Sequence, residues 1–241
     1  MSGLLVSVRN PSEAQSALAG GAAIVDVKEP LHGSLGAADP QIVTEVAREL
    51  RGQVLLSVAL GEVLDQPEDS TPVDLPPGIE FAKFGLAGCA SDPQWESKWV
   101  RSLRRLPDNV KRVAVAYADW QRALSPAPRR VVSLGARHRC RAVLIDTYRK
   151  DSGSLLNHLP GDELTEIVDL GRTLGMLIVI AGSVDLPVIK HLAELQPDYF
   201  GVRGAVCHGS RTGPLDPERV RQLVDFLDHQ QPLAGALRAK V

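Results

Sequence analysis

Residues 20–37 read GGAAIVDVKEPLHGSLGA. Within them, Ala23 to Val27 is a short β-rich run, apolar on both faces except at Asp26, and Lys28 follows at once. A strand apolar on both faces is buried on both, as in a parallel sheet covered by helices. Seven further runs of this kind occur: Leu4 to Val8, Val54 to Leu60, Ile79 to Phe84, Val113 to Tyr117, Ala142 to Ile145, Leu177 to Ile180 and Tyr199 to Val202. Segments with the helical spacing of apolar residues lie between them, among them Ile42-Val46-Leu50, Trp95-Trp99-Leu103, Leu164-Val168 and Val220-Val224-Leu227. The repeated β-then-α order, with right-handed crossovers, predicts an α/β fold closed as a (β/α)8 barrel, one domain over residues 1–241.

Two segments break the pattern. Glu62 to Gly78, EVLDQPEDSTPVDLPPG, holds four prolines and few apolar residues, so the third helix is expected to be degenerate, short or absent. The SPAP stretch at Ser125 to Pro128 is expected to split the fifth helix into two pieces. Residues 232–241 read as a C-terminal tail that frays unless it docks on a partner subunit.

Composition narrows the function. With 27 Lys+Arg against 29 Asp+Glu the net charge is −2, which argues against a nucleic-acid or anionic-membrane surface. Cys89, Cys140 and Cys207 are widely spaced and form no C-x-x-C pair, so no disulfide framework or structural zinc site is indicated and a reducing cytoplasm is expected. The N-terminal apolar stretch is too short for a signal peptide, and no run is long enough for a membrane span. The six histidines never fall at a metal-ligand spacing, and dinucleotide and Walker glycine patterns are absent, so no metal or cofactor is expected.

In such a barrel the loops after the strands form the active face. Asp26 and Lys28, two residues apart at the end of the second strand, point to one side, the barrel interior. Lys83 closes the fourth strand, and Asp146 closes the sixth with Lys150 four residues on. These alternate strands share side-chain layers, so the groups are expected to converge on one cavity. A structural salt-bridge network is one reading of them. The chain holds 20 arginines and only 7 lysines, yet both strand-end cations are lysine. Arginine is the better buried ion-pair partner, whereas lysine can lose its proton and attack a carbonyl, so the choice favours amine chemistry. Lys28 and Lys83 are each able to lower the other's pKa, with Asp26 orienting one of them.

A second constellation follows strands seven and eight. Gly182 and Ser183 in IAGS, and Arg203 and Gly204 in GVRGA, occupy the two loops where this barrel commonly cradles phosphate, with a helix N-terminus adding to the first. Arg203 either touches the anion or braces the loop, with the further alternative of pairing with Asp146 inside the barrel. The loop PLHGSLGA, Pro30 to Ala37, which includes Ser34, reads as a mobile lid or second phosphate site. Cys207 and His208 sit close after strand eight, without a third partner that would make a thiol nucleophile.

The stretches GGAAIVDVKEPLHGSLGA, FAKFGL, AYAD, LIDTYRKDSGSL, LIVIAGS and GVRGAVC, in this order and spacing, resemble the (5-formylfuran-3-yl)methyl phosphate synthases of furan-cofactor biosynthesis in methanogens and some methylotrophic bacteria. The likeness runs over nearly the whole chain. It implies a (β/α)8 barrel without cofactor that condenses two glyceraldehyde 3-phosphates into 4-(hydroxymethyl)-2-furancarboxaldehyde phosphate. On this resemblance the family's Schiff-base lysine falls on Lys28 and its proton-transferring lysine on Lys83. Asp26, Asp146 and Lys150 fall on supporting positions, and Gly182, Ser183, Arg203 and Gly204 on the phosphate-side loops. The chain departs from the family pattern in the Glu62 to Gly78 segment, which is shorter and less helical. The expectation is a cytoplasmic homo-oligomer acting on a small phosphorylated substrate. The other readings are a class I aldolase-like phosphosugar enzyme and a non-catalytic barrel that binds a phosphate ligand.

Overall fold

The structure, a computed structural model, describes residues 2–68 and 71–229. Its elements run β1 (Gly3–Val8), α1 (Pro11–Ala19), β2 (Ile24–Val27), α2 (Pro40–Leu50), β3 (Leu55–Glu62), β4 (Ile79–Gly85), α3 (Trp95–Arg104), β5 (Lys111–Tyr117), α4 (Pro128–Arg137), β6 (Ala142–Asp146), α5 (Gly161–Thr173), β7 (Leu177–Ile180), α6 (Leu186–Leu192), β8 (Tyr199–Val202) and α7 (Pro217–His229). The strands are parallel and close in sequence order, β8 pairing back onto β1, which is the expected (β/α)8 barrel. The tail at 232–241 lies outside the described residues.

Helices start where the local chemistry directs. Asn10 accepts a hydrogen bond from the Glu13 N–H and Asp39 from the Gln41 N–H, each followed by a proline at the first helical position. The same logic corrects the expectation for SPAP. Residues 118–124 form turns, and a single unbroken α4 begins at Pro128, because proline at a first helical position opens a helix and does not split it. Between β3 and β4 the described residues contain only a 3-10 turn, Val63–Asp65, so the third helix is indeed degenerate. That segment is strapped to α3: Val73 N–H donates to the Arg105 carbonyl at 2.9 Å, and Arg105 Nε to the Thr71 carbonyl at 2.6 Å.

Alternation along the strands sorts the side chains. Val6, Val25, Val27, Val58, Ala82, Phe84, Ala114, Val143 and Ile178 face the helices, where Trp99, Leu103, Val131, Ile167 and Val220 complete a buried layer. The residues between them face inward: Leu5, Ile24, Phe81, Val113, Val115, Leu144 and Val179 fill the lower barrel with hydrocarbon. One step higher, Ser7 on β1 pairs in register with Asp26 on β2, which pairs with Ser57 on β3. Lys83 on β4 lies in the same region, with Ala59 and Val113 as its strand neighbours. The interior therefore turns polar partway up, and the chemistry sits above that level.

Candidate active site

Asp26 and Lys83 form a buried ion pair at this level. The Lys83 ammonium also donates to Ser57 Oγ at 2.8 Å, and Ser7 Oγ donates to the second Asp26 oxygen at 3.3 Å. Burial would raise the Asp26 pKa, but the positive charges of Lys83 and Lys28 and the hydrogen bonds from Lys83 and Ser57 hold it below the ordinary value. Across the mouth, at the end of β6, Lys150 Nζ lies 2.5 Å from Asp146 Oδ1 and 3.2 Å from Thr147 Oγ1. The Thr147 N–H donates to the same Asp146 oxygen at 2.8 Å. Here too burial opposes ionisation, and the charges of Lys150 and Lys28 outweigh it, so Asp146 stays a carboxylate.

Lys28 sits one residue past β2, its N–H bonded to the Val8 carbonyl at 3.0 Å. It is 8% exposed, and among the described residues its ammonium has no hydrogen-bond or ion-pair partner. Burial pushes its pKa down to about 8; Asp146 opposes that shift and Lys150 reinforces it. Of the two strand-end lysines, Asp26 thus takes Lys83 as its partner and leaves Lys28 free.

A cavity of about 320 Å³ opens at this mouth, lined on one side by Asp26, Lys28, Asp146 and Lys150 and on the other by residues 181–185 and 201–205. Gly182 and Ser183 both have positive φ, 97° and 53°, a left-handed turn in which a glycine Cβ would meet Thr147 and Leu155 at 3.0 Å. The N–H groups of Gly182, Ser183 and Gly204 find no acceptor among the described residues, which suits them to an anion. The helix end expected to assist is already used: Asp185 caps the seven-residue α6, accepting from the Val188 N–H.

Two expected residues stand away from the cavity. Lys83 lies beneath it, beside Ser57 in a gap of about 20 Å³ among the apolar side chains. Ser34 lies behind Asp146, its hydroxyl placed to donate to the Thr147 carbonyl at 2.8 Å or to Asp146 at 3.2 Å. Ser34 and the Gly61 N–H bond to the Leu35 carbonyl tie the Pro30 to Ala37 loop across the mouth, so it is an anchored strap where a mobile lid was expected. Gly36 is required there, since a Cβ would meet the Glu29 carbonyl oxygen at 2.3 Å.

Of its three alternatives, Arg203 takes the loop-bracing one. Its guanidinium lines the cavity wall but pairs bidentately with Glu13 of α1, at 2.8 and 3.2 Å, and donates to the Ser7 carbonyl at 2.9 Å, so the pairing with Asp146 does not form. The fourth bond of Arg203 goes from its Nε to the Arg211 carbonyl at 2.5 Å. Arg211, absent from the residues singled out in the sequence, does line the cavity. Burial lowers its pKa, although a guanidinium keeps its proton at any physiological pH. Glu62 was hidden in the same way, at the end of a β3 that runs two residues past its apolar pattern. It accepts from Tyr117 Oη at 2.7 Å and from the Ala87 N–H at 2.8 Å, and burial raises its pKa. Cys207 is buried with its thiol pKa raised, the opposite of an activated nucleophile. Among the described residues no group of three or more His, Cys, Asp or Glu is placed to hold a metal ion, and no helix is long and apolar enough to cross a membrane.

The profile of a family described as 4-HFC-P synthase matches residues 4–224. A (5-formylfuran-3-yl)methyl phosphate synthase of Methanosarcina mazei is 35% identical over 231 residues, covering 92% of this chain and 97% of its own. The protein of the same name from Methanococcus aeolicus is 34% identical over 235 residues, covering 93% and 99%. Among solved structures, phosphoribosyl anthranilate isomerase from Thermus thermophilus superposes with a TM-score of 0.63 at 16% identity, over 96% of this chain and 100% of the other. KGPDC from Streptococcus mutans does so at 0.58 and 10%, over 95% and 98%. Likeness at such low identity speaks for the barrel alone.

Proposed function

The chain belongs to the 4-HFC-P synthase family, and from that premise we propose that it condenses two molecules of glyceraldehyde 3-phosphate into (5-formylfuran-3-yl)methyl phosphate through a Schiff base on Lys28. The observation that carries the lysine assignment is the buried Lys28 amine, unpaired between two lysine–carboxylate pairs and with its pKa at about 8. About a tenth of the amine is then neutral at pH 7.

The stoichiometry fits such a site. Two triose phosphates supply six carbons and two phosphates; the product keeps six carbons and one phosphate, so one phosphate and two waters leave. The Lys28 nitrogen adds to the aldehyde carbon and the oxygen departs as water, leaving an iminium. The iminium acidifies the adjacent C–H; loss of that proton gives an enamine, whose electrons expel phosphate from the third carbon. The resulting three-carbon enol is nucleophilic at its terminal carbon. Because the product carries its phosphomethyl group on a ring carbon, the second triose must react at its middle carbon. It is therefore first brought to the ketone by proton transfer between its first two carbons. Carbon–carbon bond formation, ring closure and loss of two waters complete the furan, and hydrolysis frees Lys28.

Asp146 and Lys150, facing the same cavity, are the groups assigned to these proton transfers. Lys83 acts from below, fixing Asp26 as a carboxylate and adding positive charge near Lys28. The backbone of Gly182, Ser183 and Gly204 takes a substrate phosphate. The product serves as the furan head of a methanofuran-type carrier, and three buried free thiols suit a reducing, cytoplasmic setting.

Incubation with glyceraldehyde 3-phosphate tests the reading. A new small molecule of the furan phosphate's mass, absorbing in the near ultraviolet, is expected, and borohydride should add a covalent mass to Lys28. An aldol product without that absorbance, or turnover by Lys28→Arg, would refute it.

A further inference from the structure

Carboxylates account for most of the cations around the cavity. Lys83 is matched by Asp26, Lys150 by Asp146, Arg203 by Glu13, and Arg9 by Glu29 at 3.1 Å. Among the described residues, Lys28 and Arg211 line the cavity with no carboxylate of their own. Lys28 belongs to the carbonyl chemistry. Arg211 lies on the side of the phosphate loops, its Cβ 3.8 Å from where a Cβ on Gly204 would stand.

The loop that carries Arg211 is held by other arginines. Arg203 donates to the carbonyl of Arg211 itself, and Arg9 donates to the carbonyl of Thr212 at 3.1 Å. The loop's two arms are closed by the Cys207–Leu215 bridge and by the His208 N–H bond to the Pro214 carbonyl at 2.9 Å. Glu13 and Glu29 fix those two arginines from α1 and from the start of the strap. The charges of Arg203 and Arg9 are thus spent within the protein, and one further N–H of each holds the backbone that carries a third guanidinium.

Building on the reading above, we propose that Arg211 is the side chain that binds the substrate's phosphate, completing the backbone N–H groups of Gly182, Ser183 and Gly204, and that Arg203 is a positioning residue acting through the Arg211 carbonyl. A guanidinium brings paired donors together with a full positive charge, which backbone amides alone do not carry. The site then holds a three-carbon substrate by its two ends, a carbonyl on Lys28 and a phosphate on Arg211. This also explains why Arg203, placed by sequence in the phosphate loop, spends its charge on Glu13.

The test uses inorganic phosphate with the full-length protein, measured by calorimetry, apart from steady-state turnover of glyceraldehyde 3-phosphate. Arg211→Ala should weaken phosphate binding about 10- to 100-fold, the range of one or two charge-assisted hydrogen bonds. Arg211→Lys should fall between Arg211→Ala and wild type. Arg203→Lys, shown by circular dichroism to be folded, should also bind phosphate more weakly and should raise KM more than it lowers kcat; a bracing role alone would change the melting temperature and leave both constants in place. Wild-type protein that binds no phosphate, or Arg211→Ala with unchanged affinity, overturns the proposal. Unchanged affinity in folded Arg203→Lys overturns its positioning part. If phosphate binding depends on Arg211 while no furan forms, the inference stands and the synthase reading falls.

Discussion

Burial at Lys28 works against the ammonium, and the effect has a definite size. With a pKa of about 8 in place of 10.5, half of the amine is neutral at pH 8, against about 0.3% at the ordinary value, a gain of more than 100-fold in nucleophile. Borohydride trapping with glyceraldehyde 3-phosphate, followed by intact-protein mass across pH 6 to 10, should rise with a midpoint near 8. Asp146 is the strongest force holding the proton on Lys28, so Asp146→Asn should move that midpoint lower. Stability must follow the same proton. Between about pH 8 and 10.5 the unfolded chain binds a proton that the folded chain has released, so stability gains from this residue as pH rises. Below pH 8 the full penalty for the buried charge is present, about 3 kcal/mol for a shift of this size. Lys28→Met, inactive, should therefore be more stable than wild type in urea at pH 7 by about that amount, and the difference should shrink toward zero by about pH 10.5. A trapping midpoint near 10, or a Lys28→Met advantage that ignores pH, would refute the argument.

Three other outcomes are expected. Lys83→Ala leaves Asp26 buried without its partner, which should cost about 3–5 kcal/mol in urea melts and about 100-fold or more in turnover, whereas Asp26→Asn together with Lys83→Met should regain stability but not activity. Glu13→Ala isolates the buried Arg203 in the same way, with a loss of about 3 kcal/mol in the same assay. Tyr117→Phe removes the hydroxyl that supports the Glu62 carboxylate; because burial already raises the Glu62 pKa, stability drops as pH rises above the ordinary carboxylate range, and the variant's deficit should be larger at pH 8 than at pH 5.

What the sequence disclosed follows the range of the interactions. The eight strands and the positions of Asp26, Lys28, Lys83 and Asp146 were legible, because alternation and strand ends are local properties. The choice of partner was not. Whether Asp26 holds Lys28 or Lys83 depends on where Ser57 sits across two strands, and the choice of Arg203 among anion, loop and Asp146 stayed open because Glu13, its partner, lies 190 residues away on α1. Arg211 lies beyond any strand end, in a loop placed by side chains from distant elements, and no local pattern marks it. Glu62 was masked by the proline-rich residues after it, although the polar residue ending an eight-residue β3 is the signal that would have found it. SPAP misled for a plainer reason, since the same proline that ends one segment opens the next.

The polar level of Ser7, Asp26, Ser57 and Lys83 works as a bulkhead, and it separates two kinds of selection. Beneath it, Ile24, Phe81, Val113 and Val179 surround a gap of about 20 Å³, less than one methylene chain would fill, while Leu5 and Leu144 reach from this gap to the cavity above. Substitutions at those first four change only the density of the hydrocarbon, and a better-filled floor there adds stability without reaching the reacting atoms. Above it, each carboxylate and cation is fixed by another, and a change in one propagates. A lineage adapting to heat has the lower compartment at its disposal, and a lineage acquiring a new substrate has the upper one. The two can drift independently as long as the Asp26–Lys83 pair keeps them apart.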